Sequence, residues 1–304
     1  MPPYANLSPH MIANRINKSA DSLGVPRQDL QLLFRLQELL RQISESKYRS
    51  DFVFKGGFEI MTLIGAPLRT TTDLDVTLNH YSLNADELKK IFFDIFEHAE
   101  GPIHFEITQV KSEMNENKYP GFRLGVIGTM GKTRSKLNID ISTGDVIYPN
   151  PIKFMHTNFI DAHDKITINA FPQEQIMADK LITIYQKGPN NTRAKDFYDI
   201  WALSTLISND LDHQHLIKAF HETAKAKKIG NLTLSQGEAI LEELKTAPGM
   251  ALSWKSYQQT KKFAQDIRLT RVLDSARKQL TQIFSTPTNQ EIENLKKPSS
   301  KLET

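Results

Sequence analysis

The sequence predicts an α+β fold: a mixed sheet with its helices, followed by an all-helical C-terminal half. Three observations predict it. Short alternating runs of apolar and polar residues are confined to residues 51–171. Apolar residues at helical spacing precede that window. Beyond Pro172 only helical patterns recur. With 304 residues, 39% hydrophobic and 24% charged, the chain has the length and composition of a folded protein with a substantial core.

Taken in order, residues 9–46 read as two helices parted near Gly24-Val25-Pro26. The second carries Leu32, Leu33, Leu36, Leu39, Leu40 and Ile43 at helical spacing. Phe52-Val53-Phe54 reads as a strand, Gly56-Gly57 as a turn, and Phe58 to Ile64 as a short helix stopped by Gly65. A strand follows through Asp73-Leu74-Asp75-Val76-Thr77-Leu78, then a helix from Asn84 to Ala99 that buries Leu88, Ile91, Phe92 and Ile95. Strands are expected at 103–107, 122–127 and 136–142, with a lone strand near 166–168 closing the region.

Helices then run from Glu174 to Gln186, ended by Gly188-Pro189, and through Phe197 to Leu203, with Asn191 or Thr192 as the expected cap. Further helices are expected from Asp212 to Lys227 and from Ser235 to Lys245, and a single long one from Ser253 to Ile283. The resulting division is a helical segment (1–50), an α/β domain (51–171), a helical domain (172–286) and a polar, disordered tail (287–304).

Composition excludes several chemistries. No cysteine is present, which removes disulfides, thiolate nucleophiles and cysteine-based zinc sites. A net charge of +3 makes any nucleic-acid surface a local matter. The opening Met-Pro-Pro-Tyr-Ala-Asn lacks the features of a signal peptide, and no apolar run is long enough to span a bilayer, so no membrane association and a cytoplasmic location are expected. Gly131-Lys132-Thr133 imitates a phosphate-binding P-loop, but Val126 stands where that pattern needs glycine, and a strand follows where it needs a helix. His163-Asp164 lacks the further ligands of a metal-dependent phosphohydrolase.

The chemistry concentrates in the alternating strands. Asp73 and Asp75 share one strand face, where two carboxylates repel unless a cation lies between them. Asp140 lies on the polar face of Lys136-Leu137-Asn138-Ile139-Asp140-Ile141-Ser142. If the two strands adjoin, three hard oxygen donors converge, as a two-metal Mg²⁺ site for phosphoryl transfer requires. Lys55, Gly56 and Gly57, ahead of a helix, suit an anion: glycines permit close backbone approach, and a helix N-terminus favours negative charge. In the helical half, Lys180, Lys187 and Arg193 form a candidate triphosphate clamp, with Asp196 and Asp199 three residues apart on one helix face.

Phe54-Lys55-Gly56-Gly57 followed by Arg69-Thr70-Thr71-Thr72-Asp73-Leu74-Asp75 resembles the first motif of the AbiEii/AbiGii nucleotidyltransferase toxins, members of the polymerase-β-like superfamily. The resemblance continues through Lys136 to Asp140, Lys180, Lys187, Arg193 and Asp196-Phe197-Tyr198-Asp199-Ile200, covering residues 30–205. Many members carry Gly-Ser where this chain has Gly56-Gly57, so a serine contact to phosphate is missing. The resemblance implies a polymerase-β-like sheet in which Asp73, Asp75 and Asp140 hold Mg²⁺. It also implies that Lys180, Lys187 and Arg193 contact the phosphates of an NTP substrate, and that Asp196 acts as a base or its positioner. An RNA acceptor, notably the 3′ end of tRNA, and a cognate antitoxin protein are implied as partners in abortive infection.

Lysines and arginines between Lys255 and Lys278 supply a local basic excess that fits RNA. Two alternatives stay open: the same site serving a small-molecule or protein hydroxyl, and a non-catalytic fold that only binds nucleotide or a partner.

Overall fold

The computed structural model describes residues 4, 6–78, 84–113, 121–207 and 210–285; the tail expected at 287–304 lies outside them. The chain divides into two compact units, Met1–Pro172 and Gln173–Thr304.

Among its described residues the first unit is a seven-stranded mixed sheet with four helices. Its helices are α1 (Pro9–Leu23), α2 (Arg27–Glu45), α3 (Gly57–Ile64) and α4 (Ala85–Glu97). Its strands are β1 (Phe52–Lys55), β2 (Asp73–Leu78), β3 (His104–Glu113), β4 (Gly121–Met130), β5 (Thr133–Thr143), β6 (Ile152–Asn158) and β7 (Asp161–Ala170). The order across the sheet is β3-β4-β5-β2-β1-β7-β6. The β2–β5 and β1–β7 pairs are parallel, and the other neighbours are antiparallel. One apolar core joins α1 and α2 to the sheet through Leu33, Leu36, Leu40, Phe54, Leu74, Val76 and Ile139, all buried.

Local chemistry explains the element ends. Gly24 adopts a left-handed conformation (φ 67°) that closes α1. Asn84 and Glu87 form a reciprocal capping box at α4, a device that contributes about 1 kcal/mol. Gly131-Lys132 makes the tight turn between β4 and β5, so the P-loop imitation is a hairpin. The sheet also contains a strand that the alternation did not signal. β6 lies at its edge; apolar Met155 is on its exposed face and polar His156 and Asn158 are its buried positions, so no polar–apolar rhythm marks it. It pairs with β7, which is therefore no lone strand.

The second unit is helical: α5 (Gln173–Lys187), α6 (Ala194–Leu206), α7 (His213–Ala226), α8 (Leu234–Thr246), α9 (Pro248–Thr260) and α10 (Leu269–Ser285). The single helix expected over 253–283 is two helices. Gln258 Nε2 donates to the carbonyls of Ala264, Gln265 and Ile267, and Trp254 Nε1 donates to Ile267, so side chains of α9 satisfy the backbone of a loop. At α6 the capping residue is Arg193, without a side-chain cap, and not Asn191 or Thr192. Asn191 Oδ1 accepts the Arg193 N–H at 3.0 Å just outside the helix.

Candidate active site

Strand register builds the cluster of the first unit. In the parallel β2–β5 pair, Asp75 stands opposite Asp140 and Asp73 opposite Asn138. Arg123 of β4 stands opposite Asp140, and Lys55 of β1 opposite Asp75. One rung across four strands therefore reads Arg123, Asp140, Asp75, Lys55, and residues opposite one another project to the same face. Asp73, two residues before Asp75, shares that face.

Each acid has its own partner. Arg123 grips Asp140 with two parallel hydrogen bonds, Nε to Oδ1 at 2.7 Å and Nη2 to Oδ2 at 2.8 Å. Asp75 Oδ2 accepts the Gly57 N–H at 3.4 Å, at the start of α3, where partial positive charge offsets the carboxylate. Asp73 accepts from Asn138 Nδ2 at 3.4 Å and from its neighbour Thr72 at 3.2 Å. Among the described residues no group of three or more His, Cys, Asp or Glu side chains is arranged to hold a metal ion.

Both glycines are required. Gly56 has φ 75° and ψ −140°, a backbone region essentially confined to glycine. A Cβ there would lie 2.5 Å from Asp75 Oδ2. At Gly57 a Cβ would meet Thr71 Oγ1 at 2.9 Å and Nη2 of the buried Arg69 at 3.1 Å. The turn thus presents bare backbone to the carboxylate face.

Lys55 is directed to a group that sequence reasoning missed. Its Nζ donates to Asp145 at 2.6 Å and to Ser142 at 2.7 Å. Burial pushes the Asp145 carboxyl up, but the Lys55 ammonium outweighs it and holds Asp145 below the usual range. Asp145 lies beyond the end of β5, where no alternation marks it.

The second unit holds its own buried charge cluster. Lys180 of α5 donates to Asp196 Oδ1 at 3.0 Å and Asp199 Oδ2 at 2.7 Å, both on α6. Arg193 pairs with the other Asp196 oxygen. Burial pulls the Lys180 ammonium down, yet Asp196 and Asp199 outweigh it and keep its pKa raised. Burial likewise pushes Asp196 up, and Lys180 and Arg193 override it to hold that carboxyl well below its ordinary value. Lys187 is exposed in the last turn of α5 and is not a partner of Asp196.

The structure therefore gathers Lys55, Gly56, Gly57, Asp73, Asp75 and Asp140 within one unit, and Lys180, Arg193 and Asp196 within the other. Arg123, Ser142 and Asp145 are the additions. Arg123 alternates with Phe122 and Leu124, so its face was legible, but its partner depends on inter-strand register.

A mixed sheet with Asp75 and Asp140 on one rung is compatible with a nucleotidyltransferase, and comparison with known proteins assigns that class. The model of the "Nucleotidyl transferase AbiEii toxin, Type IV TA system" family matches residues 38–281, and the chain belongs to that family of nucleotidyltransferases from toxin–antitoxin systems. No curated protein matches. Several solved structures share the fold, among them two from Helicobacter pylori. JHP933 from Helicobacter pylori is 12% identical with a TM-score of 0.50, covering 89% of this chain and 96% of its own. A protein from H. pylori assigned as a nucleotidyltransferase is 13% identical with a TM-score of 0.50, covering 89% and 99%.

Proposed function

We propose that this protein is the toxin of a bacterial abortive-infection pair, moving a nucleoside monophosphate from an NTP to an RNA hydroxyl, at the 3′ end of tRNA, in an Mg²⁺-dependent reaction. The observation that carries this reading is the placement of Asp75 opposite Asp140, on one face with Asp73 and beside the Gly56-Gly57 turn. In the balanced step, the acceptor oxygen forms a bond to the α-phosphorus, the bond to the pyrophosphate oxygen breaks, and the hydroxyl proton leaves to solvent.

The donor types suit hard cations, although the three carboxylates are not drawn into one ligand cluster and Arg123 holds both Asp140 oxygens. Asp73, Asp75 and Asp140 offer carboxylate oxygens on one face, and the missing Cβ of Gly56 leaves the Asp75 oxygen room. Mg²⁺ held there supplies charge neutralisation and activation of the acceptor oxygen. The N–H groups at the start of α3 favour phosphate oxygens. Lys180 stays an ammonium across the physiological range, which suits it to charge stabilisation and excludes it as a base. Asp196, with both oxygens taken by cations and its pKa held low, orients Lys180 and Arg193 rather than accepting a proton.

Exposed Lys255, Lys262, Arg268 and Lys278 support an RNA acceptor. Residues of that kind release counterions on binding phosphate, so apparent acceptor affinity should fall steeply with salt. A small neutral acceptor predicts little change. A cytoplasmic location accords with this substrate, and among the described residues no helix is long and apolar enough to cross a membrane. The test is incubation with labelled NTPs and cellular RNA across a salt series. Label entering RNA with a steep salt dependence supports the reading, and label entering only protein or small molecules contradicts it.

A further inference from the structure

Arg123 and Leu124 point to opposite sides of β4, so the sheet face that carries Leu124 is turned away from Asp140. On that side α4 lies against β3, with the rings of Phe96 and Phe105 5.6 Å apart. Toward the middle of α4 a groove of about 810 Å³ opens. Lys89, Lys90 and Phe93 of α4 form one wall, and Ile107, Thr108 and Val110 of β3 form the other.

A bulge makes the floor of this groove apolar. Ile107 and Val110 are three residues apart, so an unbroken strand would turn them to opposite faces. The register between β3 and β4 shifts at Thr108. Ile107 stands opposite Val126 and Val110 opposite Leu124, two buried residues of one face. Both therefore face the α4 side, yet each stays only half-buried. Phe93 stands at the rim 62% exposed, although α4 already packs through Leu88, Ile91, Phe92, Ile95 and Phe96. An exposed aromatic beside a half-covered aliphatic floor gains by being covered.

The surroundings define what covers it. β3 is the edge of the sheet, and among the described residues its outward backbone groups over 104–113 have no hydrogen-bond partner. Another extended backbone is the natural complement of such an edge. The rim is basic. Lys90 has no ion partner among the described residues, and Lys89 meets Asp86 only in an exposed pair at 3.4 Å. The one acid of the groove, Asp94, is already held by Lys47 at 2.9 Å. A two-fold contact of this face with a second copy would bring Lys90 toward Lys90, so like charge opposes it.

We infer that the edge of β3 and the α4 groove dock an extended, acidic segment of a partner protein. The segment adds a strand to the sheet, seats an apolar side chain on Ile107, Val110 and Phe93, and sets carboxylates against Lys89 and Lys90. The docking face lies opposite the acids, so it is independent of the nucleotide chemistry proposed above.

The experiment offers the full chain a phage-displayed library of random peptides, using wild type, Phe93→Ala and the Lys89→Glu/Lys90→Glu double variant. Thermal melting confirms folding of each. Wild type should select sequences in which apolar residues alternate with Asp or Glu. A fluorescein-labelled peptide of the selected sequence should bind wild type in an anisotropy titration, and bind each variant at least about tenfold more weakly. The same peptide, unlabelled, should slow amide hydrogen exchange between Gln109 and Ser112. No selected sequence, a selected sequence without acids, equal binding to the variants, or unchanged exchange along β3 overturns the docking edge. A dimer in sedimentation that Phe93→Ala dissolves would give the face to a second copy, and labelled oligouridylate binding that Phe93→Ala abolishes would give it to RNA. Either result overturns the inference as well.

Discussion

Arg123 and Asp140 face each other across the β4–β5 pair, joined by two hydrogen bonds of 2.7 and 2.8 Å. This pair neutralises the acid that stands opposite Asp75. Arg123 is 42% exposed, so solvent screens the attraction, and removing it should cost under about 1 kcal/mol of stability. The larger consequence concerns cations, because the guanidinium occupies both Asp140 oxygens. Arg123→Ala should leave the urea midpoint nearly unchanged and tighten Mn²⁺ binding severalfold in an EPR titration. Weaker Mn²⁺ binding would show that the arginine organises Asp140 rather than competing for it.

Gly56 holds a backbone conformation that an L side chain rarely adopts, and its missing Cβ leaves room for Asp75. Gly56→Ala should lower nucleotide transfer by about a hundredfold and destabilise the fold by about 1–3 kcal/mol. Transfer rates set against denaturant melts separate the two effects. An unaffected rate would remove the turn from the site.

Lys180 balances two buried carboxylates. Lys180→Met removes the cation that the two share, leaving Arg193 on Asp196, and unfolding free energy at neutral pH should fall by about 3–5 kcal/mol. The pH dependence follows from Asp196, whose folded pKa is depressed below its unfolded value. Its stabilising contribution is present above the ordinary aspartate range and is lost as pH falls through the folded value. Wild type should therefore lose stability on acidification more steeply than the variant, as read by urea titrations between neutral and acid pH. Parallel curves would show that the cluster contributes nothing to acid sensitivity.

Glu59 lies wholly buried in α3, and burial pushes its carboxyl well above the usual glutamate range. The nearby Phe171 N–H is committed to the Phe54 carbonyl at 2.9 Å, and neither Glu59 oxygen has a hydrogen-bond partner. With the folded pKa raised, stability is full below the unfolded value and declines as pH rises toward the folded one, by about 1.4 kcal/mol per pH unit. Glu59→Gln removes this titration and should be the more stable protein at neutral pH. Thermal melts across pH 4 to 8 read the difference, and a variant less stable than wild type throughout would contradict it.

Much of this architecture was readable from local pattern. Alternation placed Asp73 and Asp75 on one face and Asp140 on another polar face, while Gly24, Gly65, Asn84 and Gly188-Pro189 marked helix ends. What escaped was non-local. The Arg123–Asp140 grip depends on register between strands, which no residue encodes by itself. The Lys55–Asp145 pair joins groups from two strand ends. The break between α9 and α10 depends on Gln258 reaching forward to three carbonyls, a choice invisible in apolar periodicity. The spacing of Asp196 and Asp199 was legible, but their burial was not, because it is set by packing around Lys180.

The most direct measurement follows label from an α-phosphate-labelled NTP into RNA, with wild type and the Asp73→Asn, Asp75→Asn and Asp140→Asn variants side by side, each checked for native melting. Wild type should transfer label in the presence of Mg²⁺, and each substitution should reduce transfer by about a hundredfold or more while the protein stays folded. Undiminished transfer by a folded Asp75→Asn protein would contradict the assignment of the acidic rung as the reacting centre.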